Sequence, residues 1–225
     1  MLNLCGEVIT SRSKYDKLQP RLCQKEKGHA GPHSEFPFLE DLNRSHPNVA
    51  RKIIRDSFMT TGAAWKSEDA GPNRILRWVM RLPDDELLEF GLDMTKLKPQ
   101  VVAKLREKAA TCDACMGVAK KLTWLAYQMP AAPDVSPATR AYLEAAFGPL
   151  AFGSTNCLIC LGNLSFTLFS AAVRGRAHIE TGHSNPRSHS AGNVGFAHRE
   201  CNIAQGNKTL PEFYQWLREI LARVS

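Results

Sequence analysis

The chain has 225 residues, enough to bury a sizeable core as one large domain or two smaller ones. Lysine and arginine outnumber aspartate and glutamate by 29 to 22, which favours a polyanionic partner, with a generally solvated basic surface as the plainer alternative. No run approaches the roughly 18 to 20 apolar residues of a spanning helix. "MLNLCGEVITSRSKY" lacks the apolar core of a signal peptide, so a cytoplasmic protein with no membrane partner is expected.

In a reducing compartment the seven cysteines are read as metal ligands before disulfide partners. Residues 1–40 are turn-rich and charged, and read as a small module that needs a staple. Cys5, Cys23, His29 and His33 form a four-ligand set in which the H-x3-H interval lets both imidazoles face one ion. "GHAGPH" supplies glycine and proline for the turn around it, and the pattern resembles short zinc-ribbon-like modules with that ending. A structural Zn2+ is expected here, against a loose tail with incidental cysteines.

Residues 41–130 read as a helical DNA-recognition region. Val49, Ile53, Ile54 and Phe58 recur at helical spacing, then the loop "TTGAAWKSEDAGPN" leads to a second short helix, "RILRWVMRL". Pro83 and "DDE" open another helix, since acidic side chains favour a positive helix N-terminus. "QVVAKLREKAATCDACMGVAKKLTWLAYQM" reads as one long helix or two in sequence. Between 51 and 81 stand seven basic and three acidic residues. Arg51, Arg55, Lys66, Arg74 and Arg77 are the candidate DNA contacts, while Trp65 and Trp78 serve either the loop or the core. Cys112 and Cys115 lack an obvious partner pair. Buried core thiols are the default, a half-site shared across a dimer or with other ligands the alternative; no βαβ pattern supports a redox motif.

"PAAPDVSP" is the clearest linker, because three prolines in eight residues disfavour continuous helix. Residues 131–150 therefore form a linker and a lead-in helix from Thr139 to Phe147. Residues 151–225 follow as a second unit. "LSFTLFSAAVRGRAHIE" carries β-prone residues about a glycine turn, as a hairpin would, and 210–224 is an amphipathic helix with Phe213, Trp216, Leu217, Ile220 and Leu221 on one side.

Cys157 and Cys160 form a C-x-x-C knuckle, and His198 and Cys201 repeat its interval after 37 intervening residues. Four N/S ligands in two paired knuckles compose a closed tetrahedral zinc site with no open position for catalysis, so this Zn2+ is structural. Between the knuckles lies "AHIETGHSNPRSHSAGNVGFAHRECN". Over roughly 151–210 the chain resembles the HNH, or ββα-metal, nuclease family in its zinc-knuckle subgroup. The matching residues are His178 in "AHI", Asn193 and Asn202 in "HRECN".

With the resemblance implying a zinc-stabilised ββα-metal domain at the C-terminus, the chain reads as an α+β protein whose N-terminal region is mostly helical with a small zinc module. It implies His178 as general base, Asn193 as the brace of the intervening loop, and Asn202 as ligand of a catalytic Mg2+ or similar divalent ion. The family commonly places Asp or His directly before the base, where this chain has Ala177. His183, His189 or Glu180 could supply the missing ligand, Asn202 could hold the ion with phosphate and water, or the site could be inactive. Arg174, Arg176, Arg187, Arg199 and Lys208 surround the motif and suit phosphate positioning. The expected function is a metal-dependent endonuclease of double-stranded DNA, preferably a restriction enzyme, modification-dependent cleavage remaining open. A homodimer would let two sites cut both strands. A homing or junction-type HNH nuclease, and a zinc-stabilised DNA-binding protein without cleavage, are the alternatives.

Overall fold

A computed structural model describes residues 3–9, 19–60, 75–171 and 177–224. Cys5 N–H donates to Lys25 O and Cys23 N–H to Glu7 O, both at 2.8 Å, pairing the first strand-like segment with the second. Gly28 and Gly31 take positive φ (+83° and +84°) on either side of His29. That left-handed backbone is open to glycine without the Cβ clash other residues meet, and it folds the histidine segment back on the cysteines.

Two short helices follow, α1 (Glu40–Ser45) and α2 (Pro47–Phe58). Pro47 occupies the first turn of α2, where its missing N–H costs nothing, and Val49, Ala50, Ile53 and Phe58 are buried. The short helix expected in "RILRWVMRL" is not formed as such. Thr60 N–H donates to Ile75 O and Arg77 N–H to Phe58 O at 2.8 Å, so Leu76 bridges to Met59, and among the described residues of this stretch only Val79–Arg81 makes a 3-10 turn.

Helix α3 (Asp84–Glu89), with acidic residues throughout its first turn, and α4 (Pro99–Glu107) close a small satellite core of Ile75, Val79, Met80, Leu87, Met94 and Leu105. The long periodic stretch resolves into two helices, because α5 (Cys112–Tyr127) starts afresh at Thr111, whose Oγ1 accepts Ala114 N–H at 3.1 Å. Helix α5 is the spine: Cys115, Val118, Ala119, Leu122 and Ala126 are all fully buried along one stripe. Truncating Leu122 to alanine there would cost about 2–5 kcal/mol.

Helix α6 (Pro137–Phe147) begins two residues before the Thr139 start expected of a lead-in helix, and Asp41 of α1 accepts Ser136 N–H at its start (3.1 Å). One apolar core runs from Phe38 and Ile53 through α5 to Phe166, Ile179, Phe196 and Phe213, and so includes residues on both sides of the proline-rich stretch.

The hairpin lies later than its β-prone residues suggested. Phe166–Ser170 is a one-turn helix, α7, that buries Phe166 and Phe169; packing overrides their strand preference, and residues 172–176 lie outside the described ones. The strands are β1 (Ile179–His183) and β2 (Val194–His198), antiparallel, pairing Ile179 with His198 and Gly182 with Gly195. Helix α8 (Arg199–Gln205) follows β2 directly, and α9 (Leu210–Val224) closes the chain. Thr209 and Glu212 bond each other's backbone N–H as a capping box for α9 (2.7 and 3.4 Å). The apolar face of α9 is only partly covered: Phe213 is buried, but Trp216 and Leu221 are 39% and 61% exposed.

Candidate active site and metal-binding clusters

Both predicted four-ligand sets converge. The ligand atoms of Cys5, Cys23, His29 and His33 all lie within 4.8 Å of one another, as do those of Cys157, Cys160, His198 and Cys201. Each set could hold one metal ion in the compact N/S arrangement that suits zinc. In the second set His198 Nδ1 faces Cys160 Sγ at 3.3 Å, while its Nε2 lies 3.2 Å from Asn163 O. A carbonyl can only accept, so Nε2 carries the proton and Nδ1 is left with the lone pair a metal needs. His29 does the same in the first set with its nitrogens exchanged: Nδ1 lies 3.3 Å from Ala30 O and Nε2 faces Cys23 Sγ at 3.4 Å. Burial would raise the Cys157 thiol, but backbone N–H groups of Cys160, Ile159 and His198 outweigh it and bring the group down to about 7.

The knuckle and the hairpin form one body. Leu158 N–H donates to Phe196 O at 2.8 Å, and the Leu158 side chain lies over the Gly182–Gly195 pair. A Cβ on Gly195 would sit 3.3 Å from Leu158 Cβ, and one on Gly182 3.1 Å from Ala197 Cβ, so both glycines serve close approach.

Side chains of β1 alternate between two surroundings. On the front, Glu180 accepts Asn202 Nδ2–H of α8 at 3.0 Å and pairs with Arg199 at 3.7 Å, while Asn202 Oδ1 comes near Gly182. Arg199 N–H donates to His178 O at 2.9 Å, so exposed His178 stands one residue before β1, tied by its backbone to the start of α8. Asn193 braces the connection between the strands. Its Oδ1 accepts Ser184 Oγ–H and Asn185 N–H (2.5 and 2.8 Å), and its Nδ2 donates to Asn185 O and Ser188 O (2.8 and 2.6 Å).

On the back, Thr181, His183 and the loop residue His189 face α2. His183 and His189, expected as ligands of a catalytic ion, are thus turned away from Asn202. His183 Nε2 lies 3.0 Å from His189 Nδ1, and His189 Nε2 lies 2.7 Å from Ser57 O. Burial first, then the nearby Arg77 charge, holds His183 down to about 4 and His189 to about 3, so both rings are neutral near pH 7.

The candidate DNA contacts divide in the same way. Arg51 is exposed and Arg55 half-buried, the latter donating Nε–H to Asp56 at 2.7 Å. Arg77 is 4% exposed and donates to Lys108 O (3.0 Å), so it is a structural cation rather than a DNA contact; burial lowers it to about 10. Arg187 pairs with Glu107 at 3.4 Å, and Lys208 lies over the Trp216 ring. Lys66, Arg74, Arg174 and Arg176 lie outside the described residues. Cys112 and Cys115 join neither Cys/His cluster among the described residues; Cys115 is buried, as expected of a core thiol, whereas Cys112 is only half-buried, and burial raises them to about 12 and about 11 respectively.

Sequence reasoning missed Asp56, Thr181 and Gln205. Gln205 is 1% exposed and donates to both His183 O and Lys208 O at 2.9 Å, fixing the far end of β1. A glutamine that satisfies two carbonyls, and a carboxylate that meets a hydroxyl 125 positions away, leave no local sequence signal.

The chain is similar over 99% of its length to the crystal structure of a type II restriction endonuclease, 99% of which is covered, with 49% sequence identity and a TM-score of 0.86. No curated protein matches it. It is a type II restriction endonuclease, an enzyme that hydrolyses phosphodiester bonds of DNA. Residues 35–201 match the family model described as DraIII, and the chain belongs to that family.

Proposed function

We propose that this restriction endonuclease cuts double-stranded DNA by an HNH mechanism in the β1–β2–α8 unit, with His178 as general base. The observation that carries the reading is the meeting of Glu180 and Asn202 across β1 and α8, with His178 one residue before the strand and Asn193 bracing the loop after it. Asn202 Oδ1 and the Glu180 carboxylate are hard oxygen donors that fit Mg2+ or a similar divalent ion, and Ala177 leaves that pair to do what a residue before the base does elsewhere. Such an ion would stabilise charge on the non-bridging and departing 3′ oxygens. The His178 imidazole accepts a proton from water as the water oxygen attacks phosphorus and the P–O bond to the 3′ oxygen breaks. Asn193 keeps the loop from shifting, and Arg187, Arg199 and Lys208 position phosphates without reading sequence.

The two Cys/His clusters hold Zn2+, which keeps His198 and Cys201, and so the start of α8, in place. Arg51 and Arg55 of the helical region supply backbone contacts, and a homodimer cuts both strands. Incubation of purified protein with plasmid DNA and Mg2+ or Mn2+ tests the mechanism. The wild type cleaves at fixed positions, and His178→Ala lowers the rate by about a hundred-fold or more while still retarding DNA in a gel. Cleavage by His178→Ala at the wild-type rate would overturn the assignment.

A further inference from the structure

The last turn of α2 holds the catalytic hairpin at two separate points. Asp56, 7% exposed, accepts from Lys52 Nζ (2.9 Å) and Arg55 Nε (2.7 Å) on its own helix, and these two cations already balance its charge. It accepts a further bond from Thr181 Oγ1 at 3.1 Å, reaching β1. The next residue, Ser57, offers a backbone carbonyl near the helix C-terminus, where carbonyls lack intrahelical partners.

That carbonyl sets the direction of a chain of bonds. Ser57 O can only accept, so His189 Nε2 donates to it; His189 Nδ1 then has only a lone pair and must accept from His183 Nε2–H. Each bond is directional and each neutral tautomer is determined. Thr181 and His183 both lie on the back of β1, two residues apart, while the front carries Glu180, and His178 stands one residue before the strand. A two-stranded ribbon has little stability of its own. Its placement is therefore set by what packs against it, and behind it the polar bonds to α2 join the apolar contact of Phe196 with Phe169 (4.6 Å between ring centroids). Apolar side chains at 181, 183 and 189 would fill the same space, but without fixing the distance from β1 to α2.

We infer that Thr181, His183 and His189 are positioning residues for cleavage, through which the last turn of α2 fixes the placement of β1 and so of His178. Helix α2 also carries exposed Arg51, so the element that meets the DNA backbone is the one that holds the hairpin. This rests on the reading of His178 as base and Arg51 as a phosphate contact.

The test is steady-state and single-turnover cleavage of a DNA duplex by the metal-loaded full-length protein, comparing wild type with Thr181→Val, Thr181→Ser and His178→Ala. Thr181→Val removes the bond to Asp56 while keeping shape. Its kcat is expected to fall about ten- to a hundred-fold with KM for DNA unchanged, because misplacement by an ångström at the reacting atoms costs rates of that order. Thr181→Ser, which keeps the hydroxyl, is expected to restore the rate to within about three-fold. A Thr181→Val rate equal to wild type overturns the inference. So does a rate loss that Thr181→Ser shares, or one expressed in KM, since bulk packing would then explain it. Should His178→Ala cut as well as wild type, the proposed mechanism fails on its own account, whatever Thr181→Val shows.

Discussion

Acidification should weaken the fold through the His183–His189 pair, and the size of the effect can be worked out. Both rings sit near 6.5 when unfolded; in the fold burial holds them at about 4 and about 3, with Arg77 and Lys108 adding to the shift at His183, and Asp56 opposing it at both. Because the folded values are depressed, the unfolded chain binds more protons between these values, so stability is complete above pH 6.5 and is lost as pH falls. Each group contributes at most 1.36 kcal/mol per pH unit, and between pH 7 and pH 5 the two together remove about 4 kcal/mol. Urea unfolding of zinc-saturated protein at the two pH values measures the loss. The control is a His183→Gln, His189→Gln double variant, whose amides cannot titrate. Protonation of zinc ligands is common to both proteins, so the difference in slope isolates the pair. Equal slopes would refute the claim that these rings are held neutral in the interior.

Cys201→Ala should release one zinc of two by elemental analysis and abolish cleavage, while Cys23→Ala should release the other and leave the hairpin's near-ultraviolet signature intact. Arg77→Ala should cost about 3 kcal/mol or more in urea unfolding, because it empties a buried space and strands Lys108 O, yet leave the salt dependence of DNA binding unchanged. Arg51→Ala should do the reverse, reducing the slope of log K against log salt by about one with little effect on stability. An unchanged slope for Arg51→Ala would remove α2 from the DNA interface.

What was legible in the sequence is what depends on short spacing. The knuckle intervals identified both Cys/His clusters, and the periodic stripes identified α2, α5 and α9, since ligand geometry and helix faces repeat over three or four residues. Asn193 was named as a brace only through the family resemblance, and its partners indeed lie within nine positions. The strand pair was misplaced by its own composition: Phe166 and Phe169 are β-prone, yet a single helical turn buries both. The back of β1 was illegible for a different reason. His183 and His189 look like loop ligands until α2, some 130 residues earlier, supplies the Ser57 carbonyl that claims them. Arg77 misled in the same way, since a basic helix face and a buried structural cation have the same local spelling.

The interleaving of the second Cys/His cluster with the proposed active-site residues has a mechanical reason. Helix α8 has seven residues, too few to hold together alone in water, so its position must come from its ends. At its start stand His198 and Cys201 of the second cluster, and Arg199 N–H reaches across to His178 O at 2.9 Å. At its end Gln205 holds His183 O and Lys208 O. Asn202 follows Cys201 directly, so a metal ligand and the residue facing Glu180 share one helical turn. With zinc in that cluster, the distance from Asn202 to β1 is set by metal–ligand bonds rather than by packing of a small apolar surface. Glycine at 182 and 195 then lets Leu158 of the knuckle press against the hairpin from the same side. Under the proposed mechanism, loss of an ion from this cluster would release α8, Asn202 and the His178 carbonyl contact together, so a cluster with no open coordination position would still govern cleavage.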